Sequence, residues 1–148
     1  MIELTRGIRN NNPFNIEYNK NNNWLGQRGH DSRFCIFDKM EHGVRAGMIL
    51  LMNYRLKYRL YTPYQIIQRF CPDGVDDYLE NIYDLSYDSL DRDTKIDSLR
   101  KFLDLCRSML IVESALRVPL SKLYYIYETL PKSKQIFTAD WDTLNFTD

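Results

Sequence analysis

The hydrophobic pattern changes near residue 41, and this change limits the possible folds more than any other feature of the sequence. Before it, eight of the eleven asparagines fall between Asn10 and Asn23. Asparagine tolerates left-handed backbone and hydrogen-bonds to its own main chain, so this stretch predicts a series of turns. After it, apolar residues recur every three to four positions, which is typical of amphipathic helices. We therefore predict a mostly α, α+β fold, with a small β region before a helical body.

Three short strand-like pieces lie among the turns of the first forty residues. They occupy residues 15–18, 23–26 and 33–37. Short apolar and aromatic runs bounded by turn residues favour paired strands. The pattern predicts an antiparallel hairpin or a three-stranded sheet near the N-terminus.

Five to six helices are predicted in the remainder of the chain. Their apolar stripes lie within residues 44–52, 66–70, 78–83, 96–110 and 120–127. The second helix begins with a capping box from Thr62 to Gln65, with Pro63 in the first helical position. The longest helix is expected over about residues 94–116, and residues 86–93 form a connector.

Length and composition exclude several protein classes. The chain has 148 residues, 44% of them hydrophobic and 27% charged, which is typical of one globular domain. No apolar run is long enough to span a bilayer, and no secretory signal peptide opens the sequence, so we expect synthesis in the cytoplasm. We predict a single domain over residues 1–148. It comprises an Asn-rich β region (1–40), a helical body (41–130) and a tail (131–148) whose Phe137, Trp141 and Phe146 pack on the body.

The net charge of zero conceals an uneven distribution. Residues 1–69 carry eleven Lys or Arg and five Asp or Glu, whereas residues 70–148 carry nine and fifteen. Two interpretations remain: the halves attract each other within the fold, or the basic half forms a face for an anionic partner. The zero total argues against non-specific coating of nucleic acid.

The cysteines and histidines indicate neither a metal nor a cofactor. Cys35, Cys71 and Cys106 lack metal-ligand spacing and have apolar neighbours, which favours buried, reduced thiols. His30 and His42 are the only histidines, too few to propose a zinc site or a Ser-His-acid triad. The glycines form no phosphate-binding loop.

Glu113 is the candidate acid that the helical pattern singles out. It continues the apolar stripe of the longest helix, where loss of hydration is expected to raise the pKa of a carboxyl group. A carboxyl group that stays protonated can donate its proton to a leaving oxygen. Alternatively, Glu113 points to solvent or pairs with Arg117 at i+4.

The other glutamates near predicted turns or helix starts are weaker candidates. Glu3 lies near the terminus, and Glu41 suits the positive end of a helix. Glu17 lies on a strand-like piece and faces either a cleft or water.

The opening of the chain resembles that of a known group of proteins. Residues 6–16 (RGIRNNNPFNI) are similar to an R-G-x-R-N-N-N-P-G-N-I opening in a family of small phage and prophage virion-associated proteins, several of which are considered lysozyme-like muralytic enzymes. Later motifs follow the same order: W-x-G at residues 24–26, F-x-x-F at 34–37, an acidic-x-G-x-R-A helix start at 41–46, a tyrosine at 54 and T-x-x-x-I-I at 62–67. Residues 113–115 resemble the E-S-G piece of bacterial cell-wall β-N-acetylglucosaminidases.

The resemblance implies a lysozyme-like fold and an enzyme that cleaves the glycan strands of peptidoglycan between N-acetylmuramic acid and N-acetylglucosamine. Glu113 would be the general acid, with Glu17 as the best candidate for a second carboxylate. Without a second carboxylate, a lytic transglycosylase fits a single acid better. Glycan contacts would come from aromatic and amide side chains, namely Asn12, Asn15, Tyr18, Trp24 and Tyr64. Each has a structural alternative, with Trp24 as a core residue and the asparagines as turn formers.

Two other functions remain open. One is a catalytically inactive virion protein that binds cell wall or partner phage structural proteins. The other is a nucleic-acid-associated phage protein that uses the basic half of the chain. For the muralytic function, we expect action at the cell wall or within a virion.

The sequence departs from the family pattern at four places, one of which is the absence, around Asp73 to Asp77, of the E-N-x-T that usually follows W-A-P. Phe14 replaces a glycine, Ser114-Ala115 replaces N-G, and Phe70-Cys71-Pro72 stands where W-A-P is common. We expect these departures to lie near the cleft and to bear on activity.

Overall fold

The structure, a computed structural model, describes residues 4–139. Within that range it contains six α-helices and a two-stranded antiparallel sheet, which confirms the predicted mostly helical α+β class. The helices are α1 (Arg6–Arg9), α2 (Met40–Tyr58), α3 (Pro63–Phe70), α4 (Val75–Leu85), α5 (Leu99–Ser114) and α6 (Leu120–Tyr127). The strands are β1 (Gln27–His30) and β2 (Cys35–Phe37), and a short 3-10 helix spans Lys132–Lys134. None of the described helices combines the length and apolarity needed to cross a bilayer.

The helical body is organised around α5. Its residues Leu99, Leu103, Leu105 and Leu110 are fully buried, and α4 and α6 pack on it. The helix begins at Leu99, later than predicted, because Ser98 caps it by accepting a hydrogen bond from Lys101 N. The prediction that it is the longest helix is therefore wrong: among residues 4–139, α2 has 19 residues and α5 has 16. Residues 94–97 lie outside the helix, and Ile96 N bonds to Tyr61 O instead (2.7 Å).

The capping box at the start of α3 is present as predicted. The Thr62 hydroxyl accepts from Gln65 N, and the Gln65 side chain accepts from Thr62 N. Pro63 occupies the first helical position, where its missing N–H is not needed.

The sheet differs in detail from the predicted strands. β1 lies at Gln27–His30, immediately after the predicted strand at residues 23–26, and pairs with β2 through an irregularity between Gln27 and Gly29. Glu17 forms an isolated bridge to Phe34 rather than a strand. The polar sequence of β1 carries little strand propensity, so its pairing depends on β2.

Two glycines on α2 allow the asparagine-rich turns to lie against the helical body. A Cβ atom on Gly43 would overlap the Asn11 carbonyl, and one on Gly47 would overlap the Phe14 ring. Phe14 is fully buried. The large Phe14 side chain, at the position where the resembling phage proteins have glycine, is therefore accommodated by the missing side chain of Gly47.

The start of the tail packs on the body. Phe137 is buried beside Phe102, with ring centroids 5.7 Å apart, and its backbone bonds to the Tyr127 hydroxyl. Trp141 and Phe146, which we also expect to pack there, lie outside the described residues, as does Glu3.

Candidate functional site

A cleft of about 500 Å³ separates the asparagine-rich region from the helical body. We call its two sides the hairpin wall and the helical wall. The hairpin wall includes Asn15, Glu17, Tyr18, Asn22, Arg33 and Phe34. The helical wall consists of Leu50, Tyr54, Phe70, Cys71 and Glu113. Both carboxylates predicted from the sequence thus face the same cleft.

Glu113 lies in the last turn of α5 and is linked across the cleft to Asn15. The Asn15 amide nitrogen Nδ2 donates to Glu113 Oε1 at 3.1 Å and to the Glu113 backbone carbonyl at 3.2 Å. Asn15 has left-handed backbone (φ 54°), which asparagine tolerates better than most residues. The turn therefore directs an amide at one oxygen of the carboxyl group and leaves Oε2 outside this contact.

Two nearby groups on the helical body are held in their neutral forms. Tyr78 of α4 is 6% exposed, and its hydroxyl makes no hydrogen bond of good geometry within residues 4–139. Burial and, next, the adjacent Glu113 carboxylate raise the pKa of Tyr78 far above its usual range. The pKa of the Cys71 thiol is raised by the same two causes in the same order. On the helical wall, Glu113 therefore has the neutral Tyr78 and Cys71 as neighbours.

Cys71 corrects one part of the prediction for the cysteines. All three thiols are free, and Cys35 and Cys106 are buried, but Cys71 is only half-buried and lines the cleft. It follows the end of α3, where Pro72 prevents further helix.

Glu17 faces the cleft on the hairpin wall but is already paired. Arg33 donates to Glu17 Oε1 from both Nε (2.9 Å) and Nη2 (2.6 Å). The Arg33 side chain is 64% exposed and the Glu17 side chain is 61% exposed. The environments of the two carboxylates therefore differ: Glu113 lies beside buried groups and Glu17 is solvated and bound to a cation.

Tyr18 presents an aromatic ring at the hairpin wall. It stacks on His30 with ring centroids 3.8 Å apart and an interplanar angle of 19°. His30 Nδ1 lies 2.7 Å from the Asp31 carbonyl oxygen, which accepts but cannot donate, so this nitrogen carries the proton. A partly exposed ring held in this way is suited to stacking on a sugar face.

The other three predicted glycan-binding residues lie away from the cleft lining. Asn12 is fully buried; its Nδ2 donates to the carbonyls of Ile16 and Cys35, and its Oδ1 accepts from Ile16 N, each at 3.0 Å. A side chain so enclosed organises the turn, which favours the structural alternative for Asn12 over a glycan contact. Trp24 packs half-buried against the core, and Tyr64 lies under Arg92 at 4.6 Å on another surface.

Sequence reasoning missed Arg33, Tyr54 and Tyr78 as residues of the site. The sequence places Tyr78 in the apolar stripe of its helix and predicts no further role for it. Nothing local distinguishes such a tyrosine from a core residue, because its neighbour Glu113 is 35 positions away in the sequence. Within residues 4–139, no three His, Cys, Asp or Glu side chains gather in a way that would hold a metal ion.

Comparison with known proteins links the chain to phages. It matches no model of a known protein family. It is 38% identical over 79 residues to Protein P5 of Pseudoalteromonas phage PM2, a stretch that covers 51% of this chain and 49% of Protein P5. The matched segment thus spans about half the length of that relative. The chain therefore has a homologue among phage proteins.

Proposed function

We propose that this chain is a lysozyme-like muralytic protein of phage type, which cleaves peptidoglycan glycan strands with Glu113 as general acid. The observation that carries the proposal is the placement of Glu113: it ends a buried helix, lines a 500 Å³ cleft and receives the Asn15 amide from the opposite wall. The homologue in phage PM2 supports the phage part of the proposal.

The geometry around Glu113 suits proton donation to a glycosidic oxygen. A general acid needs a fixed orientation and one oxygen directed at the bond that breaks. Asn15 engages Oε1, so Oε2 would carry the proton toward the leaving oxygen. The Tyr78 hydroxyl is buried without a good hydrogen bond, which costs stability. It can therefore donate a hydrogen bond to the Glu113 carboxylate that remains after proton transfer.

The state of Glu17 favours a mechanism that uses one acid. Retaining and inverting glycosidases normally use a second carboxylate as nucleophile or base. Here the candidate for that role, Glu17, is already paired with Arg33, and both side chains are largely exposed. In a lytic transglycosylase, Glu113 would protonate the glycosidic oxygen as its bond to the anomeric carbon breaks. A hydroxyl of the same sugar would then attack that carbon and return its proton to Glu113.

Glu17→Gln separates the one-acid and two-acid mechanisms. If Glu113 acts alone, this variant retains activity within about threefold, because the amide removes only the charge of a solvated group. A loss of about a hundredfold or more would instead make Glu17 the second carboxylate. Mass spectrometry of the released fragments adds an independent test, since an intramolecular product lacks the water that hydrolysis adds.

The main experiment is clearing of purified peptidoglycan by wild type, Glu113→Gln and a matched control. Glu80→Gln is the control, because Glu80 is exposed on α4 and does not line the cleft. Glutamine at residue 113 still accepts from Asn15, so the fold is retained while the acid is lost. We expect clearing to fall about a hundredfold to ten-thousandfold in Glu113→Gln and to stay unchanged in Glu80→Gln. Equal clearing by wild type and Glu113→Gln would reject Glu113 as the acid.

A second candidate function is binding to cell wall without cleavage, as part of a virion. One of the sequence departures favours it, because Phe70 and Cys71, which replace the common W-A pair, line the cleft itself. If none of the variants clears peptidoglycan but wild type still sediments with it, this function replaces the enzymatic one.

A further inference from the structure

Arg33 is the one basic side chain among the described residues that line the cleft. A neutral glycan such as chitin carries nothing that matches a cation. Peptidoglycan strands carry carboxylates, either on the lactyl group of muramic acid or on the peptide stems attached to it. The presence of Arg33 in the cleft is therefore informative about the charge of the ligand.

The guanidinium group of Arg33 is positioned before any ligand arrives. It lies over the Phe34 ring at 4.8 Å, and Arg6 lies 4.7 Å from the same ring centroid. Stacking on an aromatic face reduces the freedom of the long side chain, so less entropy is lost when it binds a partner.

The ion pair between Arg33 and its partner Glu17 does not have the strongest geometry. Nε and Nη2 both donate to the same oxygen of Glu17, Oε1. The strongest arginine–carboxylate pairs instead join two parallel N–H groups to two oxygens. Because the pair is also more than half exposed, it contributes little to stability and is easily exchanged.

We propose that Arg33 is a specificity-determining residue that binds a carboxylate of the glycan strand, and that the Glu17 carboxylate competes with the glycan carboxylate for the Arg33 guanidinium. This inference rests on the proposed function and adds the feature of the substrate that the cleft selects. Glu17 is then a competitor of the ligand, which gives its removal an effect opposite to that of removing Arg33.

The chain provides a matched control at Arg92. Its guanidinium lies over the Tyr64 ring at 4.6 Å and 3.6 Å from Asp76. Like Arg33, Arg92 thus has one aromatic and one acidic neighbour. Arg92 lies outside the cleft lining. A general effect of losing a stacked arginine would appear in both variants, whereas an effect on ligand choice would appear only in Arg33→Gln.

Binding is measured by calorimetry on protein that carries Glu113→Gln, so that the ligand is not cut. The probes are a tetrasaccharide of alternating N-acetylglucosamine and N-acetylmuramic acid with free lactyl carboxylates, the same tetrasaccharide with those carboxylates amidated, a fragment bearing peptide stems, and chitotetraose. We expect Arg33→Gln to weaken binding of a carboxylate-bearing probe about tenfold and to leave the amidated probe and chitotetraose unchanged. Arg92→Gln is expected to change none of them, and Glu17→Gln to tighten only the carboxylate-bearing probe.

The outcomes separate this inference from the proposed function. Equal binding of charged and amidated probes, or equal losses on both in Arg33→Gln, overturns the inference and leaves a glycan-binding function standing. Weaker binding in Glu17→Gln also overturns it, because the pair would then be structural. If the parent protein binds no glycan probe, both proposals fail. When the inference holds, preference for the lactyl or the stem-bearing probe identifies the source of the carboxylate.

Discussion

The two walls of the cleft are held in place by different forces. The asparagine-rich region, residues 4–38, buries a few apolar side chains such as Phe14, but its turns depend on side chains that hydrogen-bond to backbone, such as Asn12 within the turn and Asp31 between the strands. The helical body depends on apolar burial around α5, where Leu103 and Leu110 are fully buried. A turn built by specific hydrogen bonds tolerates few substitutions, whereas a packed core tolerates changes that conserve volume.

The walls meet at the candidate site itself. Thr5 donates its hydroxyl to the Ser114 carbonyl (3.0 Å), and Ser114 donates its hydroxyl to the Pro13 carbonyl (2.7 Å). With the Asn15–Glu113 bonds, these contacts join the asparagine-rich region to the last turn of α5. The position of the Glu113 carboxyl therefore depends on both kinds of stabilisation.

The largest expected change in stability comes from the helical body. Leu103→Ala should lower the free energy of unfolding by about 2–5 kcal/mol, because it removes buried methyl groups and leaves a cavity. Urea denaturation measures the loss, and Leu103→Met, which conserves volume, should cost less than about 1.5 kcal/mol. Equal losses in the two variants would show that packing at this position does not hold the body together.

A smaller and more local change is expected in the asparagine-rich region. Asn12→Ala leaves Ile16 N without its buried acceptor and should cost about 1–3 kcal/mol. Hydrogen exchange should accelerate at β1 and β2 more than in α5, because the regions are stabilised separately. Asn23→Ala, an exposed site in the same region, should stay within about 0.5 kcal/mol. Uniform acceleration across all helices after Asn12→Ala would contradict the separation of the two regions.

The smallest expected effect is a pH-dependent change in Tm that is specific to the asparagine-rich region. The Arg6 side chain, then the backbone N–H groups of Phe34 and Arg33, hold the pKa of Asp31 well below its ordinary value of 3.8. A lowered pKa means that Asp31 stabilises the fold above pH 3.8 and that this contribution is lost as the pH falls below it. Asp31→Asn should therefore lower Tm at pH 7, and the difference from wild type should shrink at a pH of about 2.5.

The control for the pH experiment is Asp84→Asn, since Asp84 is exposed on α4. It should leave Tm nearly unchanged at both pH values. A difference between wild type and Asp31→Asn that stays constant from pH 7 downward would show that the charge of Asp31 does not contribute.

Some elements could be predicted from the sequence because their causes are local. The capping box at Thr62 and Gln65 lies within four residues, and it begins α3 as expected. Of the predicted strands, residues 33–37 contain β2, and residues 15–18 form only the Glu17–Phe34 bridge. The sequence does not predict β1, because QRGH shows no strand propensity of its own. The asparagine cluster correctly predicted turns but not the burial of Asn12, since exposed and enclosed asparagines have the same local pattern.

The sequence by itself determined the helical body, its apolar stripes and the position of Glu113 in the last turn of a long helix, α5, because periodicity and capping act over a few residues. Only the tertiary structure decided that Asn15 would hydrogen-bond to Glu113, that Tyr78 would lie beside Glu113 and that Arg33 would pair with Glu17. These contacts join residues that are distant in the chain, apart from the hairpin pair. Their geometry depends on how the asparagine-rich turns pack against Gly43 and Gly47 of α2, and on how α4 packs against α5.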